Sequence, residues 1–150
     1  MQQEDWIKYG ALALAVVGFG ALMYVALSQG GGDPEGRTWS VSELSADGST
    51  RAPIEGTLIT AAFEDGTVAG TAGCNSYFAS YTTDGDSIQV GPPGSTRAFC
   101  AEPEGLMDQE QAYLALLQSA DSFDVRGDIL TLSSGNAKVL TYAEDMSGDQ

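Results

Sequence analysis

Histidine is absent from the 150 residues, cysteine occurs twice, and lysine and arginine together occur six times. Without an imidazole there is no Ser-His-Asp or Cys-His pair, no HExxH zinc site and no histidine proton shuttle. Any chemistry would rest on carboxylates, Tyr, Lys or Cys. The inventory therefore favours a non-enzymatic protein, with no catalytic residue, no cofactor and no metal site assigned.

The few bases face 21 acids, a formal net charge of -15. Phosphate binding needs clustered Lys and Arg, so the composition argues against nucleic acid as a partner and disfavours anionic lipid headgroups. The acidity reads as a solvated, self-repelling surface, of the kind suited to a saline habitat. The length fits one ordinary domain plus an appendage.

Charge is missing altogether from Tyr9 to Leu27, "YGALALAVVGFGALMYVAL". At about 1.5 Å per residue this run spans roughly 30 Å, the thickness of a bilayer's hydrocarbon core. Trp6, Tyr9 and Tyr24 stand near its ends, where amphipathic rings favour the interface. The expectation is a short N-terminal segment (1–8) followed by a single transmembrane helix (9–27). A cleaved signal peptide competes, since "ALS" at 26–28 offers small residues, but Glu4 and Asp5 make a poor positive leader. No Cys follows the run, which excludes a lipoprotein anchor. Lys8 precedes the helix and no base follows until Arg37, so the bias points to a cytoplasmic N-terminus and a periplasmic or extracellular domain. Ala11, Ala15 and Gly18 share one helix face and are candidates for helix–helix contact. Residues 28–37 are Gly-rich and acidic, and read as a flexible linker.

From there to the C-terminus, turn signals punctuate strand-like runs. "TWSVSEL" and "TLITAAFE" have strand composition, and Asp65-Gly66 turns the second into "TVAGTAG". "NSYFASYTT", "DGDS" and "SIQV" suggest another hairpin. "SFDVRG", "DILTLSS" and "AKVLTY" give three more strands. One segment differs. In "PEGLMDQEQAYLALLQSA", Leu106, Met107, Tyr113, Leu114, Leu117 and Ala120 recur at helical steps, with Asp108, Gln109 and Gln111 between them. The pattern predicts an α+β domain: an antiparallel sheet or half-barrel of about eight strands, with one main helix closing its open face.

Together, "GTAGCNSYFASY", "TRAFC", "EQAYLALL", "DILTLSS" and "VLTY" resemble the META domain family, which includes the heat-shock protein HslJ. The likeness runs from about Trp39 to Tyr142, giving a META-like domain at 38–143 and an acidic tail at 144–150. The most specific residues are Gly73, Cys74 and Asn75, then Thr96, Arg97 and Cys100, then Glu110. Ala79 stands where the family often has Gly, and Ala98-Phe99 where a Met is common; both changes touch packing. The resemblance implies an envelope-exposed domain whose motif residues are structural.

In that fold Cys74 and Cys100 fall on adjacent strands or loops. In an oxidising compartment they pair, closing a loop of about 27 residues and stabilising by about 3.5 kcal/mol in the chain-entropy model. Free buried thiols are the alternative. A two-Cys metal site lacks further soft ligands. Asn75 suits a turn, and Gly70 and Gly73 a bulge or close backbone approach. Tyr77 and Tyr81 share a strand face with Ala79. Asp84 and Asp86, with Asp121, Asp124 and Asp128, make no calcium loop, and "GPPGST" lacks the Lys of a phosphate loop.

Three functions follow as expectations. The first is a membrane-anchored structural or protein-interaction module, with a stress or antibiotic-tolerance role if it is HslJ-like. The second is an accessory subunit of a membrane-embedded complex, respiratory or photosynthetic. A carboxylate-based enzyme comes last.

Overall fold

The computed structural model describes residues 32–146. The helix expected at 9–27, with Ala11, Ala15 and Gly18, lies outside the described residues. No helix among the described residues is long and apolar enough to cross a membrane.

Among the described residues ten strands and one helix follow in order: β1 (Thr38–Ala46), β2 (Ser49–Arg51), β3 (Thr60–Glu64), β4 (Thr67–Thr71), β5 (Ser76–Asp84), β6 (Ser87–Val90), β7 (Gly94–Ser95), α1 (Leu106–Ser119), β8 (Ser122–Arg126), β9 (Ile129–Ser134) and β10 (Ala137–Glu144). The period-2 alternation is clearest in β5. Tyr77, Ala79 and Tyr81 point inward, while Ser76, Phe78 and Ser80 face out. The β3–β4 turn has Asp65 at φ 50° and Gly66 at φ 78°, the left-handed pair a two-residue hairpin requires.

Antiparallel pairing runs β10-β9-β8-β6-β5-β4-β3-β1, and β1 returns to β10, so eight strands close into a barrel. The expected half-barrel is thereby corrected. Closure joins the first long strand to the last, from Trp39↔Glu144 to Leu44↔Leu140. No local periodicity encodes a pairing across so much chain. The β6–β8 seam is short, one register pair at Ser87↔Ser122, reinforced by Ile88 N–H donating to Asp121 O (3.1 Å) and Phe123 N–H to Asp86 O (2.9 Å).

The helix has no open sheet face to cover. It packs against β1 and β10 and also against β6, which stands across the ring, so it crosses the barrel. Tyr113 and Leu117 of α1 join one buried cluster with Trp39, Phe63, Leu132 and Tyr142.

The described part of the expected linker is a docked strap. Gly32 N–H donates to Val125 O (3.3 Å), and buried Pro34 accepts from Trp39 Nε1–H (3.0 Å). Gly36 N–H donates to Phe63 O (3.2 Å), and the Tyr81 hydroxyl donates to the Glu35 carboxylate. Arg37 reaches Gly127 O (2.9 Å) and Glu144 (3.4 Å) and lies over the Trp39 ring, 5.4 Å from its centroid. The strap thus ties strand β3 to the β8–β9 turn. Asp145 N–H then donates to Thr38 O (2.8 Å), so the described start of the acidic tail continues the sheet.

Candidate functional site

The β4–β5 turn, residues 72–75, is where most of the singled-out residues converge. Gly73 has φ 118°, a conformation L side chains rarely adopt, and a Cβ there would sit 2.9 Å from Leu106 Cδ1. The turn delivers two successive backbone N–H groups to one point, an anion-binding nest. Glu110 of α1 fills it from within the protein. Its Oε2 accepts from Cys74 N–H (3.0 Å) and Asn75 N–H (2.8 Å), and its Oε1 from Asn75 Nδ2–H (2.7 Å). Glu110 is 4% exposed and Asn75 2%. A carboxylate so placed is tolerated because charge-assisted bonds replace its water.

The same asparagine then holds the loop after β7. Asn75 Oδ1 accepts from Ala98 N–H (2.8 Å) and Thr96 Oγ1–H (2.8 Å), while its Nδ2 donates to Ala98 O (3.0 Å). Because Ala98 presents one donor and one acceptor, the amide has a single workable orientation. Two residues on, Cys100 is bonded to Cys74 (S–S 1.99 Å, Cα–Cα 5.9 Å). Ala98 and Cys100 are thus pinned on either side of Phe99, whose ring is 79% exposed. Thr96 belongs to the clamp. Arg97 is exposed and forms no ion pair with the described residues. Phe78, 61% exposed on the outer face of β5, lies beside Gly94, where an added Cβ would meet its ring at 2.9 Å.

Two further polar groups escaped the helical pattern. Gln109, expected on the solvent side between apolar positions, is 2% exposed. Its Oε1 accepts from Ile54 N–H (2.7 Å) and its Nε2 donates to Thr57 Oγ1 (3.2 Å), tying the 52–59 loop to α1. The second is a chain of phenols. Tyr77 OH donates to Thr60 O (2.7 Å), a carbonyl that can only accept, so Tyr113 OH donates to Tyr77 (2.6 Å) and Tyr142 OH to Tyr113 (3.0 Å). Gly70 leaves room for this terminus, since a Cβ there would lie 2.2 Å from Thr60 O. Burial holds the phenols of Tyr77, Tyr113 and Tyr142 well above the ordinary tyrosine value. Burial, then the Glu35 carboxylate, does the same for Tyr81. The readable signal was that a core tyrosine needs a partner for its hydroxyl.

The aspartates weighed for calcium are dispersed in local roles. Asp121 accepts from Gly135 N–H (2.9 Å) and Asp124 pairs with Arg126 (2.8 Å). Among the described residues no three His, Cys, Asp or Glu side chains form a group able to hold a metal ion.

The META domain model matches residues 33–147, most of the chain and all of the barrel. The chain belongs to the META domain family. No curated protein matches it. Among solved structures, a protein from Burkholderia xenovorans determined by NMR is 30% identical, with a TM-score of 0.61 over 75% of this chain and 84% of that one. A second NMR structure, 18% identical with a TM-score of 0.52, covers 71% of this chain and 87% of its own and shares the fold. In this META domain the Gly-Cys-Asn turn, the Thr-Arg loop and the helix Glu meet at one place, which sequence spacing alone did not show.

Proposed function

We propose that this META domain is membrane-anchored and extracytoplasmic, and that it acts by binding another protein through the loop at 94–100, without catalysis. The observation that carries the reading is the pinning of Phe99. A disulfide and a buried amide clamp, itself held by a buried carboxylate, act on a loop whose Arg97 and Phe99 side chains face solvent. An aromatic group held rigid before binding loses little entropy on contact, and a neighbouring Arg suits a hot spot. The internal commitments of Asn75, Gln109, Glu110 and the tyrosines also favour contact over chemistry, since their polar atoms are already bonded within the domain. The disulfide suits an oxidising compartment. The uncharged run at 9–27 supports an anchor, and Ala11, Ala15 and Gly18 support docking as an accessory subunit beside other membrane helices. Family membership alone supports an envelope-stress role of the HslJ kind.

The test is a photo-reactive side chain at position 99 of the full chain in its native membrane, with the same group at exposed Thr83 as control. A discrete adduct from position 99 and not from 83 is expected. Equal labelling from both, or none from 99, overturns the reading.

A further inference from the structure

Strands β1 and β10 separate abruptly. Leu44 pairs with Leu140 on one edge and with Arg51 of β2 on the other; Leu140 pairs with Leu44 on one edge and Leu132 of β9 on the other. Beyond that point β1 follows β2 and β10 follows β9, so Ser45–Ala46 and Ala137–Val139 present facing edges that no register pair joins. Each strand carries a register shift next to the split, between Val41 and Glu43 and between Lys138 and Leu140. Bulges re-aim strands and end pairing, and they cluster beside functional sites.

The split opens a groove of about 520 Å³, within the range of ligand-binding clefts, with Leu116 of α1 and Val139 among its lining. Glu43 of β1 and Asp47 of the β1–β2 turn stand on one side, and Lys138 of β10 on the other. Neither carboxylate is in an ion pair with a described residue.

We propose that this groove binds an extended peptide segment by strand addition to the free edges of β1 and β10. The complementary segment is basic: its side chains on the β1 side meet Glu43 and Asp47, and small aliphatic ones lie over Leu116 and Val139. An acidic segment would meet both carboxylates and the net charge of -15. Alternate side chains of an added strand point to opposite sides, so one face carries charge and the other apolar groups. This site uses different residues from the Phe99 loop and stands or falls apart from it.

The probe is a capped, fluorescent hexapeptide alternating lysine and valine, titrated against the full chain in neutral detergent and followed by anisotropy. Its counterpart has glutamate in place of lysine. Saturable binding of the lysine peptide alone is expected. Glu43→Lys with Asp47→Asn should weaken it by about tenfold, the asparagine being chosen because position 47 has φ 52°. Glu55→Lys with Glu104→Gln makes the same charge change at exposed sites elsewhere and should leave the affinity unchanged. Ala46→Phe, which fills the groove, should abolish binding at an unaltered melting temperature; if it lowers the melting temperature, the charge pair decides alone. Absence of saturable binding overturns the proposal. So does equal binding of both peptides, or an equal loss in the control variant.

Discussion

Glu110→Gln tests whether the buried junction is held by a carboxylate or merely filled by a side chain of that shape. Three donors converge on Glu110: Cys74 N–H and Asn75 N–H on one oxygen, and Asn75 Nδ2–H on the other. Glutamine keeps one oxygen and turns the other into an NH2 group, which then faces the Asn75 amide nitrogen. Asn75 has no escape by flipping, because Ala98 N–H needs its oxygen and Ala98 O its nitrogen. A buried donor is left without an acceptor, at about 1–3 kcal/mol, and the loss of charge-assisted bonds adds roughly 1 kcal/mol. The total, about 2–4 kcal/mol, lowers the melting temperature by roughly 8–16 °C in a domain of this size. Thermal melts followed by circular dichroism, on the full chain in mild detergent, give the number, with Glu104→Gln on the exposed surface as reference. Combining Asn75→Ala with Glu110→Ala should show a coupling of at least about 1 kcal/mol. A shift for Glu110→Gln no larger than the reference would refute the account of the junction.

Four other outcomes follow from the same geometry. Serine at both Cys74 and Cys100 removes a staple spanning 26 residues, and calorimetry should find a loss near 3.5 kcal/mol in the chain-entropy model; an unchanged melting temperature would mean the loop is held by Asn75 alone. Gly70→Ala places a Cβ against Thr60 O at 2.2 Å, prising β3 from β4, and should cost at least about 2 kcal/mol in urea unfolding. The buried tyrosines have pKa values raised above those of the unfolded chain, so their contribution is complete below about pH 10 and is lost as pH rises beyond it. Their phenolate absorbance should therefore appear together with loss of the barrel's circular dichroism, and ionisation ahead of unfolding would contradict the burial of the chain of hydroxyls. Intact mass of the membrane-extracted protein should retain residues 1–28; their loss would replace the anchor with a cleaved leader.

Much of the local structure was legible from the residues. The Asp65-Gly66 turn, the alternation of Tyr77, Ala79 and Tyr81 and the three C-terminal strands appear where their spacing placed them. Helix α1 is present too, but its buried face is polar near its start. Gln109 stood between the apolar positions of the helical pattern, and Glu110 was marked only as a structural motif residue, because hydropathy scores a side chain without its partners. Once Ile54, Thr57 and the β4–β5 turn supply bonds, both can be buried. The strap was read as a tether for a similar reason. Glycine and proline signal irregular backbone, and the signal is the same whether that backbone is free or laid across Trp39 and Phe63.

The longer strands, the helix, the hairpin turns, the acidic balance and the lack of histidine chemistry were readable from the residues, because each depends on neighbours a few residues apart or on composition alone; the short β2 and β7 were not. The tertiary structure decided that the sheet closes, that α1 crosses the barrel, that Glu110 fills a backbone nest, and that β1 and β10 part after Leu44 and Leu140. These depend on groups far apart in the chain meeting at hydrogen-bond distance, and strand tilt and register set that meeting where periodicity cannot.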